Sequence, residues 1–129
     1  MKVTNSGMRF AVLRLIRQYI KEEHTGNLNS CPLCCAVRTK EFFDINDCTR
    51  CPNIAFATRV PKNMCHLPCN ARGERFQNLD FSEYNDARIA VFWKEVHAIM
   101  PSGRKSFEMT DDLKKQILKI ARSVNKRKL

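Results

Sequence analysis

Two pairs of cysteines with C-x-x-C spacing are separated by thirteen residues in a chain of 129. A C-x-x-C turn places two sulfur atoms on the same side of a tight loop, so two such turns can supply the four corners of one tetrahedron. Four thiolates in this arrangement are typical of a structural zinc site. The spacing therefore predicts that the two pairs together bind one zinc ion. The four predicted ligands are Cys31, Cys34, Cys48 and Cys51.

Further potential ligands follow in the sequence and leave the ligand set open. The alternates are Cys65, His66 and Cys69. Enough ligands are present for a second site, but we favour one, because C-x-x-x-C and adjacent cysteines are poorer metal-binding turns than C-x-x-C. Cys35 is interpreted instead as a small buried hydrophobic residue. An iron–sulfur cluster uses the same four-thiolate geometry and is the alternative cofactor. Zinc is favoured because nothing else in the sequence indicates electron transfer.

The expected compartment also favours metal over disulfides. The chain has seven cysteines, which leaves one unpaired in any closed disulfide scheme. Basic residues interrupt the N-terminal segment MRFAVLRLIRQYIKEEH, and it has no small-residue cleavage site, so we do not expect a signal peptide. No apolar run is long enough to predict a membrane span. We therefore expect a cytoplasmic protein, in a reducing environment where C-x-x-C pairs bind metal.

Amphipathic periodicity predicts three helices that would position these cysteines. The first spans about residues 7 to 23, with Ser6 as its N-cap. The second follows Ser82, another capping residue, and ends before Pro101. The third begins after Thr110, whose hydroxyl is followed by two aspartates suited to the positive end of the helix dipole.

The segment from Ser30 to Gly73 shows no sustained period, although AVRTKEFF could form one or two helical turns. A long irregular segment inside a compact domain needs an interaction that holds it against the rest of the fold, and metal ligation would provide that interaction. The sequence therefore predicts a mainly α protein, a small single domain of about three helices around a cysteine-ligated zinc knuckle with irregular loops. Its parts are an N-terminal amphipathic helix in 1–30, a cysteine-rich metal-binding segment in 31–73, a helix in 74–103 and a basic C-terminal helix in 104–129.

The net charge of +10 is concentrated towards the ends of the chain. Residues 104–129 carry nine basic and three acidic side chains, whereas residues 31–103 carry nine and eight. A basic end of this kind is expected to face an anionic partner, the alternative being a solvated tail that only aids solubility. The candidate nucleic-acid-binding residues are Arg104, Lys105, Lys114, Lys115, Lys119, Arg122, Lys126, Arg127 and Lys128, with Arg9, Arg14 and Arg17 in support.

No catalytic residues are predicted, so we do not expect an enzyme. A zinc deaminase needs H-x-E ahead of P-C-x-x-C, an order that the chain lacks. An all-cysteine zinc site is normally closed and leaves no position for substrate. The histidines have no mutual spacing that suggests a pair, and His97 is interpreted as a packed core residue.

The run CPLC, then DCTRCP, then MC followed by LP resembles the small cysteine-rich proteins encoded by tailed bacteriophages. The resemblance covers residues 31–69 and implies a zinc-binding protein of viral or mobile-element origin, acting in the host cytoplasm. It supports the two C-x-x-C pairs and Cys65 as ligands, whereas Cys35 and Cys69 depart from the pattern.

Binding to nucleic acid through the basic C-terminal helix is the favoured function. The charge does not distinguish DNA from RNA, and it predicts binding that is sequence-independent or weakly selective. The alternative is a protein-interaction module that binds a host protein or occupies a place in a viral assembly, since a basic amphipathic helix also docks on acidic protein surfaces.

Overall fold

A computed structural model describes residues 3–21, 32–37, 50–52, 55 and 86–127. This part of the chain is mainly helical and contains no β-strand, which confirms the predicted mainly α class of a small single domain. Its helices are α1 (Asn5–Ile20), α2 (Pro32–Val37), α3 (Asp86–Ile99) and α4 (Asp111–Lys126).

Helix α3 lies at the centre of the described helices, because both α1 and α4 pack against it, and α1 also packs against α2. Trp93 and Phe92 are fully buried on α3, with ring centroids 4.8 Å apart at 68° in an edge-to-face arrangement. Aromatic side chains of this size supply a large share of the apolar area that folding removes from water. The other fully buried large side chains are Tyr19, Phe107, Met8, Leu15, Leu33, Ile89, Ile117, Val12 and Val96.

The N-cap of α1 is Thr4, whereas the sequence predicted Ser6. The Thr4 hydroxyl accepts a hydrogen bond from the Gly7 amide at 3.0 Å, and the helix therefore begins at Asn5. The Ser6 hydroxyl accepts instead from the Gly103 amide at 2.8 Å. Both residues have a hydroxyl group that can cap a helix. The Ser6 hydroxyl is bound to Gly103, far along the chain, and Thr4 is the residue that caps α1.

Residues 3–6 run alongside the loop between α3 and α4, where Thr4 and Ser106 form an isolated antiparallel bridge. Two amides of the first turn of α1, which have no partner inside a helix, donate to carbonyls of this loop. Gly103 has a φ of 114°, a left-handed conformation that favours glycine. The bonds run from Asn5 N to Lys105 O (2.8 Å), from Ser6 N to Gly103 O (3.1 Å) and from Phe107 N to Val3 O (2.8 Å).

Helix α2 includes Cys34 of the first C-x-x-C pair and overlaps the predicted AVRTKEFF segment at Ala36 and Val37, and the rest of that segment lies outside the described residues. Pro32 is the first residue of the helix, a position where its missing N–H costs nothing. Leu33 and Val37 are one helical turn apart and are both buried, so α2 presents one apolar side to the core.

The start of α4 agrees with the prediction. The Thr110 hydroxyl accepts from the Leu113 amide at 3.1 Å, and Asp111 and Asp112 occupy the first turn. Helix α3 ends at Ile99, shortly before Pro101, as predicted. Its predicted cap, Ser82, lies outside the described residues.

Arg88 is the one buried charged residue in the described part of the chain, and it binds the C-terminus of α4. One guanidinium nitrogen donates to the carbonyls of Val124 (2.6 Å) and Arg127 (2.8 Å). The last carbonyls of a helix have no partner within it and carry the negative end of its dipole, so a cation is favoured there. Arg88 therefore connects α3 to the end of α4.

Arg9 binds the C-terminus of α3 in the same way, although the sequence suggested it as a supporting nucleic-acid contact. Its guanidinium donates to the carbonyls of His97 (2.8 Å) and Met100 (2.7 Å). Arg9 is half-buried, and its two bonds join α1 to the end of α3. His97 is half-buried too, in place of the packed core position that the sequence indicated.

Acidification is expected to destabilise the fold through His97. Burial and, secondarily, the positive charge of Arg9 lower the pKa of His97 below its ordinary value. The unfolded chain then binds a proton more readily than the folded chain does, so stability decreases as the pH falls below the unfolded-state value of about 6.5. Thermal melts of the wild type and of His97→Gln at pH 7.5 and 5.5 measure this, and the variant should lose less stability on acidification. Equal losses in both proteins would assign the pH dependence to other groups.

Candidate functional site

Four cations of α4 lie on one exposed face of the helix. Their spacing of i, i+4, i+7 and i+11 places them within a sector of about 60° at 3.6 residues per turn, along about 16 Å of the helix axis. All four side chains are exposed. We call this set the α4 stripe: Lys115, Lys119, Arg122 and Lys126.

Contacts at both ends of α4 and along its buried side fix the orientation of the helix, and with it the position of the α4 stripe. Thr110 caps the start of the helix, Arg88 binds its end, and the helix packs along α3 between them. Because the buried and the cationic residues follow the same helical period, burial of one set directs the other towards solvent. The buried residues of α4 are Leu113, Ile117, Ala121 and Val124.

The acidic residues near the stripe contact other groups. Within the described ranges, no acid forms an ion pair with a member of the stripe. Its positive charge is therefore not neutralised inside this part of the fold, and an external anion can approach it. The observed acid contacts are Glu95 with Arg127, Glu108 with Arg50, Asp111 with Lys114 and Asp112 with Gln116.

The other predicted nucleic-acid-binding residues lie around the stripe. Arg104 and Lys105 are exposed in the loop that precedes α4. Lys114 is half-buried, with its ammonium 3.9 Å from Asp111 one turn earlier. Lys128 lies outside the described residues. The structure thus brings four of the nine candidates together on one helix face and places two more in the adjoining loop.

Arg127 is engaged within the fold. Its guanidinium donates to both carboxylate oxygens of Glu95, with one of the two bonds at 2.8 Å, and to the Ser123 hydroxyl at 2.9 Å. The hydrogen bonds to Glu95 raise the pKa of Arg127 above its ordinary value. A bidentate arginine–carboxylate pair fixes the positions of both side chains. Arg127 therefore joins α3 to the end of α4 and is not counted in the α4 stripe.

Most of the predicted metal ligands lie outside the described residues. These are Cys31, Cys48, Cys65, His66 and Cys69, together with the side chain of Cys34. Cys51 is buried, with 1% of its surface exposed. Cys35 is exposed, which corrects its interpretation as a buried hydrophobic residue, because the buried side of α2 is occupied by Leu33 and Val37. The described residues contain no group of three metal-ligating side chains.

The chain next to each C-x-x-C pair is attached to the helical core. Within the second pair, between Cys48 and Cys51, the Arg50 guanidinium donates to the Phe107 carbonyl at 2.9 Å and to the Glu108 carboxylate at 2.8 Å. Cys51 and Pro52 are buried directly after it. Beside the first pair, α2 buries two apolar side chains of its own. Each pair therefore adjoins described residues that contact the helical core, whereas the sulfur atoms of Cys31, Cys34 and Cys48 lie outside the described residues.

The comparisons with known proteins give no match. No protein-family model matches the chain, and no curated protein and no solved structure matches it. None of the helices in the described ranges has the length and hydropathy that a membrane crossing requires. Function is therefore inferred from the charges and contacts of the chain itself.

Proposed function

We propose that the chain is a non-catalytic zinc-binding protein of the cytoplasm that binds nucleic acid through the α4 stripe. The observation that carries this proposal is the alignment of four exposed cations on one helix face, without an acid paired to them in the described ranges. Each cation that neutralises a phosphate releases condensed counterions, which contributes affinity without reading the base sequence.

The composition of the stripe favours a polyanion over an acidic protein. Lysine is depleted from the buried centres of protein–protein interfaces, which rely on aromatic and other apolar anchors. The α4 stripe has three lysines, one arginine and no apolar residue within its sector. Flexible cations repeated at every turn suit a phosphate backbone, where positions recur along a line.

The proposed zinc would be held by the thiolates of the two C-x-x-C pairs. A closed four-thiolate site supplies folding energy and leaves no coordination position for chemistry, so its role here is structural. It would join α2 to the segment around Arg50, two places that already contact the helical core.

Removal of the stripe is expected to reduce the salt dependence of binding. With all four cations replaced by glutamine, the slope of log K against log salt for a duplex should fall by about 3.6, because each phosphate contact contributes about 0.9. Affinity at low salt should fall by about 100-fold. Fluorescence anisotropy of a labelled mixed-sequence duplex, measured from low to high salt, gives both quantities.

Single-charge variants provide the matched control. Lys119→Gln removes one charge from the stripe and should lower the slope by about 0.9, whereas Lys94→Gln removes one exposed charge from α3 and should leave it unchanged. Glutamine is a good helix former, so circular dichroism should be the same for all variants. An unchanged slope in the four-site variant would contradict the proposal, and a protein partner for the same face would then be the better explanation.

A further inference from the structure

Helix α1 has a second cationic face, and this one includes an exposed aromatic ring. Its members repeat the spacing of the α4 stripe and lie within a sector of about 60°. Phe10 exposes 59% of its surface, the largest value among the exposed large hydrophobic residues of the described chain. We call this set the α1 face: Phe10, Arg14, Arg17 and Lys21.

The α1 face points away from the rest of the described structure. The buried residues of α1 lie on the opposite side of the helix, where it packs on α2 and α3. Residues 3–21 contain four cations and no acid. Of the four, Arg9 is bound to the end of α3, and the other three form no ion pair within the described residues. Arg14, Arg17, Gln18 and Lys21 line an open depression of about 190 Å³.

The arrangement of apolar groups on α1 argues against a lipid surface as the ligand. A helix that lies in a membrane interface inserts a broad apolar face and directs its cations to the lipid headgroups. The broad apolar face of α1 is already in the protein core. Its exposed large hydrophobic residues are Phe10 and Ile20, and Ile20 lies about 90° around the helix from the centre of the α1 face.

From this juxtaposition we infer that the α1 face binds a single-stranded segment of nucleic acid, with an unpaired base stacked on Phe10 and phosphates on the three cations. The inference rests on the proposed function and adds to it the strandedness of the ligand. Proteins that bind single strands combine a cationic track with aromatic rings on which bases stack. In a duplex the base faces are stacked on each other, so the Phe10 ring has no base face to cover.

The test uses the full chain and two labelled probes, a 15-nucleotide oligothymidine strand and a mixed-sequence duplex. Phe10→Leu keeps an apolar side chain but removes the ring, and it should lower the affinity for the single strand about 10-fold while changing the duplex affinity less than twofold. Phe10→Trp keeps an aromatic ring and should therefore bind the single strand as tightly as the wild type does, in contrast to Phe10→Leu. Ile20→Leu, an exposed apolar position outside the α1 face, should change neither affinity. Replacement of the three cations by glutamine should lower the single-strand salt slope by about 2.

The outcomes separate this inference from the function of α4. If Phe10→Leu binds the single strand as the wild type does, or loses duplex and single-strand affinity equally, the inference is overturned while the α4 proposal stands. If the four-site α4 variant keeps its duplex salt slope but Phe10→Leu loses single-strand affinity, the α4 proposal is overturned and the α1 face is supported. Sedimentation with phosphatidylserine vesicles that depends on Phe10, together with unchanged oligothymidine binding, would also overturn the inference in favour of a membrane surface.

Discussion

Loss of one thiolate from each C-x-x-C pair is expected to remove the proposed zinc ion and to abolish cooperative folding of the cysteine-rich segment onto the helices. A structural zinc site contributes about 10–16 kcal/mol of apparent binding free energy. That is comparable to the total stability of a domain of this size, about 5–15 kcal/mol. Cys31→Ser combined with Cys48→Ser removes one thiolate from each pair. This variant should contain no metal, and its midpoint of thermal unfolding should fall by well over 10 °C.

Metal analysis and thermal melts of the purified protein, with and without a chelator, measure this effect. Cys35→Ser is the matched control, because Cys35 lies on the exposed side of α2 and is not among the predicted ligands. It should retain one equivalent of metal and the wild-type melting temperature. A visible absorption band with iron in place of zinc would indicate the alternative cluster. If Cys31→Ser/Cys48→Ser melts like the wild type, the structural metal site is wrong.

Arg88→Met is expected to reduce the free energy of unfolding by about 3–5 kcal/mol, because it removes two hydrogen bonds from a charged donor, each worth about 1.5–3 kcal/mol. The carbonyls of Val124 and Arg127 would then be left at the end of α4 without the cation that binds them. Methionine fills much of the same volume, so loss of packing contributes little. Urea unfolding monitored by Trp93 fluorescence gives the difference directly.

Two further variants isolate the role of the Arg88 charge. Arg88→Lys keeps a cation that can donate to both carbonyls and should recover part of the lost stability. Lys94→Met makes a similar chemical change at an exposed position of the same helix and should alter stability by less than about 0.5 kcal/mol. If Arg88→Met costs no more than Lys94→Met, the connection between α3 and the end of α4 does not stabilise the fold.

Contacts between residues that are close in the sequence could be predicted from the cysteine and charge patterns, whereas contacts between distant residues could not. The spacing of Lys115, Lys119, Arg122 and Lys126 follows from the helical period, so their common face could be predicted from the order of residues alone. The pairing of Arg127 with Glu95 could not be predicted in this way, because Glu95 lies 32 residues earlier and only the packing of α4 on α3 brings the two side chains together. The metal-ligand set was likewise predicted from spacing and stays a prediction.

The sequence by itself determined the elements whose causes are local. It predicted the amphipathic helices, the Thr110 cap and the cationic side of α4, because each depends on residues within one or two turns of each other. Only the tertiary structure decided which cation binds a helix end and which stays in solvent: Arg9 reaches a carbonyl 88 residues away, whereas Arg14 on the same helix is exposed. Whether a cation binds a helix end or stays in solvent depends on which distant part of the chain packs next to it, and the local sequence pattern does not contain that information.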